Sequence, residues 1–227
     1  MEEIILLILE IIGTIAFAVS GSFVAIKAKL DVFGVLFVGC ITAVGGGILR
    51  DILIGVTPPA IFSNLYMLLI AAITSAIVFI VSYIQRKRFQ EIERKIEHIN
   101  NVFDAFGLAA FSVMGTQIAF VHGHSDNVVL SILLGMMTGV FGGVFRDILT
   151  ATTPYIFKKH VYALASIVGA ALYYVLRRCI TGDNGTLIAS IVAMAFVVTI
   201  RMLATKYRWS LPKVHLEENG EQNGEQK

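Results

Sequence analysis

The chain has 227 residues, of which 56% are apolar and 15% charged, with a mean hydropathy of +0.79. Soluble domains of this length rarely carry so little charge, and a net charge of +2 offers no basic surface for a nucleic-acid partner. Cys40 and Cys179 lie in different segments and suggest neither a disulfide framework nor a metal site.

A helical crossing of the bilayer needs about 20 apolar residues. Seven such segments follow in chain order, at approximately 4–26, 33–56, 61–84, 102–121, 127–150, 160–177 and 186–205. The first is not read as a secretory signal, because its leading residues are acidic (Glu2, Glu3) and it has a partner later in the chain. A charged connection, 85–101, separates the third and fourth segments, and the polar tail ending ENGEQNGEQK has too little apolar content to fold. The expected fold is all-α and membrane-integral, with seven transmembrane helices. Residues 1–84 form a first three-helix repeat, 85–101 a basic connection, 102–180 a second repeat, 181–206 a seventh helix and 207–227 a polar tail.

The repeat shows most clearly in the second and fifth segments. TAVGGGILRDILIGVTP, from Thr42 to Pro58, recurs 96 residues later as TGVFGGVFRDILTATTP, from Thr138 to Pro154, with ten of 17 positions identical. At an offset of 94, Gly13, Ala16, Phe17, Val19 and Gly21 match Gly107, Ala110, Phe111, Val113 and Gly115, and Glu10 aligns with Asp104. Basic residues set the orientation. With the N-terminus outside, twelve lysines and arginines from Lys27 to Lys213 fall in the inner connections and tail, and only Arg177 and Arg178 in the outer ones. Tyr207 and Trp209 then sit at the inner interface. The unit of segments one to three thus begins outside and that of four to six inside, so the halves are inverted copies. Such repeats commonly carry a substrate or ion path near the midplane.

The repeated motif holds the candidate site residues. Gly45, Gly46 and Gly47, with Gly142 and Gly143 in the second copy, weaken the helix by about 1 kcal/mol each and are expected to kink or unwind it. A single cluster reads most simply as small-residue helix packing; two related clusters beside charges read as a pathway. Glu10, Arg50, Asp51, Asp104, Arg146 and Asp147 are expensive within hydrocarbon and mark the same region. The depths suggest that Glu10 pairs with Arg50 and Asp104 with Arg146, leaving Asp51 and Asp147 to hold helices or face the path. Structural ion pairing is the alternative role for the arginines.

Other features point less far. GGGILRD lacks the lysine and strand–turn–helix setting of a phosphate loop, and His122 and His124 lie in a connection with no third ligand nearby. Ser20, Ser22 and Ser112 read as helix-packing or pore hydroxyls, and no nucleophile–base constellation suggests an enzyme. The stretch RKRFQEIERKIEHI reads as an orientation signal with a short amphipathic helix, although its charge also suits anionic lipid. Arg201 is expected to snorkel from the inner end of the seventh segment.

Seven spans, an outside N-terminus, inverted three-helix repeats and glycine-rich second and fifth helices resemble the trimeric intracellular cation channels, in particular their prokaryotic relatives. GGGILRD and GGVFRD are also similar to the signature of a related small bacterial membrane family, some members of which are labelled glycine transporters. The resemblance covers residues 4–205. It implies a homotrimer in a prokaryotic plasma membrane, with a pore in each protomer bounded by the kinked helices and conducting potassium with some sodium. Phe141 departs from a symmetric glycine triplet, so the two kinks are expected to differ. The expected function is a passive monovalent cation channel without cofactor or chemistry. Thr42, Thr138 and glycine carbonyls would replace hydration water, while Asp51 and Asp147 bias the vestibules. The alternative from a different class is a carrier for a small neutral amino acid such as glycine, its carboxylate held by half-helix N-termini.

Overall fold

The computed structural model describes residues 2–85, 93–158, 161–180 and 184–209. Its helices are α1 (Glu2–Lys27), α2 (Val32–Leu53), α3 (Ala60–Ser63), α4 (Tyr66–Ile84), α5 (Glu93–Val121), α6 (Val128–Leu149), α7 (Tyr155–Lys158), α8 (Val161–Cys179) and α9 (Gly185–Lys206). Among the described residues, seven are long and apolar enough to cross a membrane, leaving α3 and α7 as single turns between spans. The helix carrying the fourth span begins at Glu93, so the latter part of the connection expected over 85–101 is helical and continuous with the span. Residues 86–92 of that connection, and the tail from 210, lie outside the described residues.

Local chemistry repeats with the sequence. Asp31 caps α2 by accepting from Gly34 N–H at 2.8 Å, and Asn127, at the matching position, caps α6 by accepting from Leu130 N–H at 3.0 Å. Each helix satisfies one orphan donor this way. Both helices also end alike. Val56 N–H donates to Asp51 O and Thr152 N–H to Asp147 O, each at 2.8 Å. The turn places Gly55 at φ +77° and Ala151 at φ +52°, matching positions in the left-handed region.

The halves interlock through small residues, the usual means of helix association in membranes. The Phe17 ring of α1 lies over Gly107 of α5, and the Phe111 ring of α5 over Gly13 of α1, with ring centroids 5.3 Å apart. Where α2 crosses α6, a Cβ on Gly46 would stand 2.2 Å from Thr138 O, and one on Gly142 the same distance from Thr42 O. These reciprocal contacts mark the pseudo-two-fold axis. The fold is therefore two inverted three-helix repeats, α1–α2–α4 and α5–α6–α8, with α9 as an extra helix against α5 and α8. Val197 of α9 fills the notch at Gly169 of α8. Leu69, Ile73, Ile77, Ile80 and Ile84 on α4 face outward, as a lipid-facing span requires.

Candidate functional site

The Arg-Asp pair near the end of each long central helix makes a corner. Arg50 Nε and Nη2 donate to Asp51 Oδ1 at 2.9 and 2.7 Å, and Asp51 Oδ2 accepts from Ala60 N–H, the first residue of α3, at 3.0 Å. In the second repeat, Arg146 Nε donates to Asp147 Oδ1 at 2.8 Å, and Asp147 Oδ2 accepts from Tyr155 N–H, the first residue of α7, at 2.8 Å. Arginine orients aspartate, and aspartate caps the helix that follows the Thr-Pro turn. All four side chains are buried, so each charge is balanced within a water-poor site.

Beyond the corners the two sites diverge. In the second repeat, Arg146 Nη1 donates to Asp104 Oδ1 and to Ser20 Oγ, both at 2.7 Å. Asp104 accepts at its other oxygen from Arg201 Nη2 at 3.3 Å. Arg201 is buried at 2% exposure, with its guanidinium 4.7 Å from the Tyr162 ring centre. It does not snorkel: a carboxylate and an aromatic face inside the bundle replace the water it would otherwise seek. The Arg146 guanidinium lies 4.9 Å from the Tyr155 ring centre. Tyr155 stands outside the spans, and burial pushes its phenol above the ordinary value, keeping it a neutral hydroxyl.

In the first repeat the expected pair of Glu10 with Arg50 is not formed. Arg50 spends its Nε and Nη2 on Asp51, and its buried Nη1 has no hydrogen-bond partner among the described residues. Glu10 and Arg50 instead line one cavity of about 130 Å³, together with Val44, Gly47, Asp51, Asn64 and Phe111. The residues matching Glu10, Gly47, Arg50 and Tyr66 are Asp104, Gly143, Arg146 and Tyr162, and those side chains close in on one another. A larger cavity of about 610 Å³ opens on the face away from the N-terminus, where Lys27, Phe79, Tyr83, Asn100, Asp147 and Tyr155 are among its walls.

The glycines act differently from the expectation of unwound backbone. Both α2 and α6 are unbroken α-helix through Gly45, Gly46 and Gly47 and through Gly142 and Gly143. Their missing side chains admit a neighbour: Thr138 O at Gly46, Thr42 O at Gly142, the Phe145 ring at Gly45 and the Tyr162 hydroxyl at Gly143. Gly47 has only Arg50 Nη2 nearby, at 3.7 Å. The Thr42 and Thr138 hydroxyls are also committed, donating at 2.6 Å to Val38 O and Leu134 O and packing against Gly21 and Gly115. Ser20 holds Arg146, while Ser112 bridges to Ser166 Oγ at 2.6 Å. Sequence reasoning missed Tyr162 and the inward role of Arg201. The available signal was an acid, Asp104, early in the fourth segment, with arginines late in the fifth and seventh, which places all three near one face.

The fold and its paired polar corners define an integral membrane protein of the inverted-repeat class. A family model described as Glycine transporter matches residues 7–83 and 101–178. The chain is 32% identical to the inner membrane protein YadS of Escherichia coli K12, over 93% of this chain and 97% of that protein. It is 33% identical to the membrane protein YvgT of Bacillus subtilis, over 90% and 94%. Among solved structures, a prokaryotic TRIC channel crystallised in 0.5 M KCl matches with a TM-score of 0.80 and 34% identity, covering 92% of this chain and all of that one. The TRIC trimeric intracellular cation channel orthologue from Rhodobacter sphaeroides matches with a TM-score of 0.78 and 26% identity, over 90% and 98%. The chain belongs to this family of membrane proteins and is a homologue of the prokaryotic TRIC channels.

Proposed function

We propose that this protein is a passive, potassium-preferring cation channel in a prokaryotic plasma membrane, with its N-terminus outside and its C-terminus inside. It works as a homotrimer, each protomer holding its own path bounded by α2 and α6. The observation that carries this reading is the pair of symmetry-related charged sites buried where those helices end, on a fold matching solved cation channels. Charges so placed are costly, and in membrane proteins they mark ion or substrate pathways. The path runs from the cavity beside Glu10 towards the wider cavity beside Asp147, which Lys27, Lys29 and Glu97 also line. Phe111 lines the cavity beside Glu10 and packs on Phe17 between the halves, and on this reading that buried pair is the constriction of the path. The twelve-to-two distribution of basic residues supports the orientation.

The test is electrogenic flux. Proteoliposomes given a potassium gradient develop a membrane potential of the sign set by potassium, read by a voltage-sensitive dye. A potential of the sign set by chloride, or none from protein shown to be inserted, contradicts the proposal.

One observation favours a second reading, a carrier for a small amino acid. The first-repeat cavity offers the Glu10 carboxylate and the unpartnered Arg50 Nη1 within about 130 Å³, opposite charges suited to an ammonium and a carboxylate. Saturable uptake of glycine, lost in Glu10→Gln, is the result that selects it.

A further inference from the structure

The two polar sites are built from matching residues yet stand in different states. At the first, Arg50 Nη1 is unpartnered, Glu10 makes no ion pair among the described residues, and a cavity separates the matching helices. At the second, Arg146 reaches two carboxylates and a hydroxyl, its Nη1 bonded to Asp104 and Ser20 and its Nε to Asp147, although its Nη2 and the Tyr162 hydroxyl beside Gly143 have no hydrogen-bond partner among the described residues. Tyr66, which matches Tyr162, is instead 43% exposed. One partner of the second site has no counterpart in the repeat. Arg201 comes from α9, outside both three-helix units, and holds the far oxygen of Asp104 while lying over the Tyr162 ring. It adds a second cation to Asp104, whereas nothing among the described residues pairs with Glu10.

From this asymmetry we infer that the two sites are alternative states of one device, open in the first repeat and shut in the second. Arg201 is the positioning residue that holds the second site shut. The inverted repeat supplies two equivalent geometries, and α9 biases one half towards closure. Loss of the Arg201 contact strips Asp104 Oδ2 of its donor and leaves the buried cluster one positive charge short, which favours entry of water and opening of the second site towards the state of the first. The inference rests on the two-repeat architecture and holds for a channel gate and for a carrier alike. It extends the proposed function by naming which half moves and what restrains it.

Matched cysteines test it. Val44, 9% exposed, lines the first cavity, and its counterpart Val140, 0% exposed, packs in the cluster that holds Tyr162. In the full chain with Cys40 and Cys179 replaced by alanine, Val44→Cys reacts readily with a small charged methanethiosulfonate added on the face bearing the N-terminus. Val140→Cys is protected. Adding Arg201→Ala raises Val140→Cys labelling from the opposite face by about tenfold, since reactivity follows the open population, and Arg201→Lys keeps the protection. Equal labelling of Val44→Cys and Val140→Cys in the chain with Arg201 intact overturns the inference. So does Val140→Cys labelling that Arg201→Ala leaves unchanged in protein that stays monodisperse. Should Arg201→Ala not fold, Arg201→Gln takes its place, and the comparison of the two cysteines stands without either variant. Labelling in the expected pattern without ion flux would sink the channel reading and leave this one intact.

Discussion

At the scale of single residues, the glycines of the repeated motif fall into separable classes. Gly46 and Gly142 each face a backbone carbonyl at a distance no Cβ can occupy, and the opposing helix cannot yield as a side-chain tip can. Gly46→Ala and Gly142→Ala are therefore each expected to destabilise the protein by about 1–3 kcal/mol, the usual range for overpacking. Gly47→Ala, whose new methyl would meet only Arg50 Nη2 at ordinary contact distance, is expected to fold like the parent chain. Thermal melts followed by size exclusion in detergent check both; equal tolerance of all three would contradict the packing role. A second residue-scale expectation concerns the turns after α2 and α6. Ala151 adopts the left-handed conformation that Gly55 takes freely in the first repeat, so Ala151→Gly should stabilise by about 1 kcal/mol and Gly55→Ala should cost a similar amount. A lowered melting temperature for Ala151→Gly would contradict this. The motif itself could not show the close crossing, because a glycine cluster serves packing and backbone flexibility alike. What decides is the position of Thr42 O and Thr138 O on the partner helix, which lies 96 residues away in sequence.

The elements behave as two copies of one corner, and the corner explains why Arg, Asp and Thr-Pro travel together. Removing the cap in Asp147→Ala strips Arg146 of one acceptor and takes away the carboxylate that accepts from the Tyr155 N–H at the start of α7, a loss expected to reach about 3–5 kcal/mol. The acids on α1 and α5 should respond unequally. Asp104→Asn breaks ion pairs to two buried arginines and should lower the melting temperature strongly, whereas Glu10→Gln, which breaks none, should leave it nearly unchanged. Comparable melting shifts for both would contradict the asymmetry. Much of this level was legible in the sequence: the apolar runs located the spans, and the common depth of Asp104 and Arg146 predicted their pair. Two things were not. Glu10 matches Asp104, but Arg50 is turned onto Asp51 and leaves a cavity where the second repeat has a bond. Arg201 stands five residues from the end of α9, where an arginine ordinarily reaches for the interface, and only the placement of Asp104 and Tyr162 turns it inward.

The whole molecule joins two inverted units across a crossing dense in glycine and phenylalanine, with polar sites toward opposite faces and an extra helix bracing one of them. A tight glycine crossing favours movement of the halves against each other as rigid bodies over unwinding of α2 or α6, because both helices keep their hydrogen bonds throughout. On the channel reading, that movement withdraws Phe17 and Phe111 from between the two cavities. Recording from the purified protein in a planar bilayer, with potassium on both sides and glycine added later, tests the central claim most directly. The account predicts discrete picoampere-scale steps, whose ion throughput no alternating-access carrier can match, unaltered by glycine. A silent bilayer, joined by saturable glycine uptake into liposomes from the same preparation, would contradict it and establish the carrier.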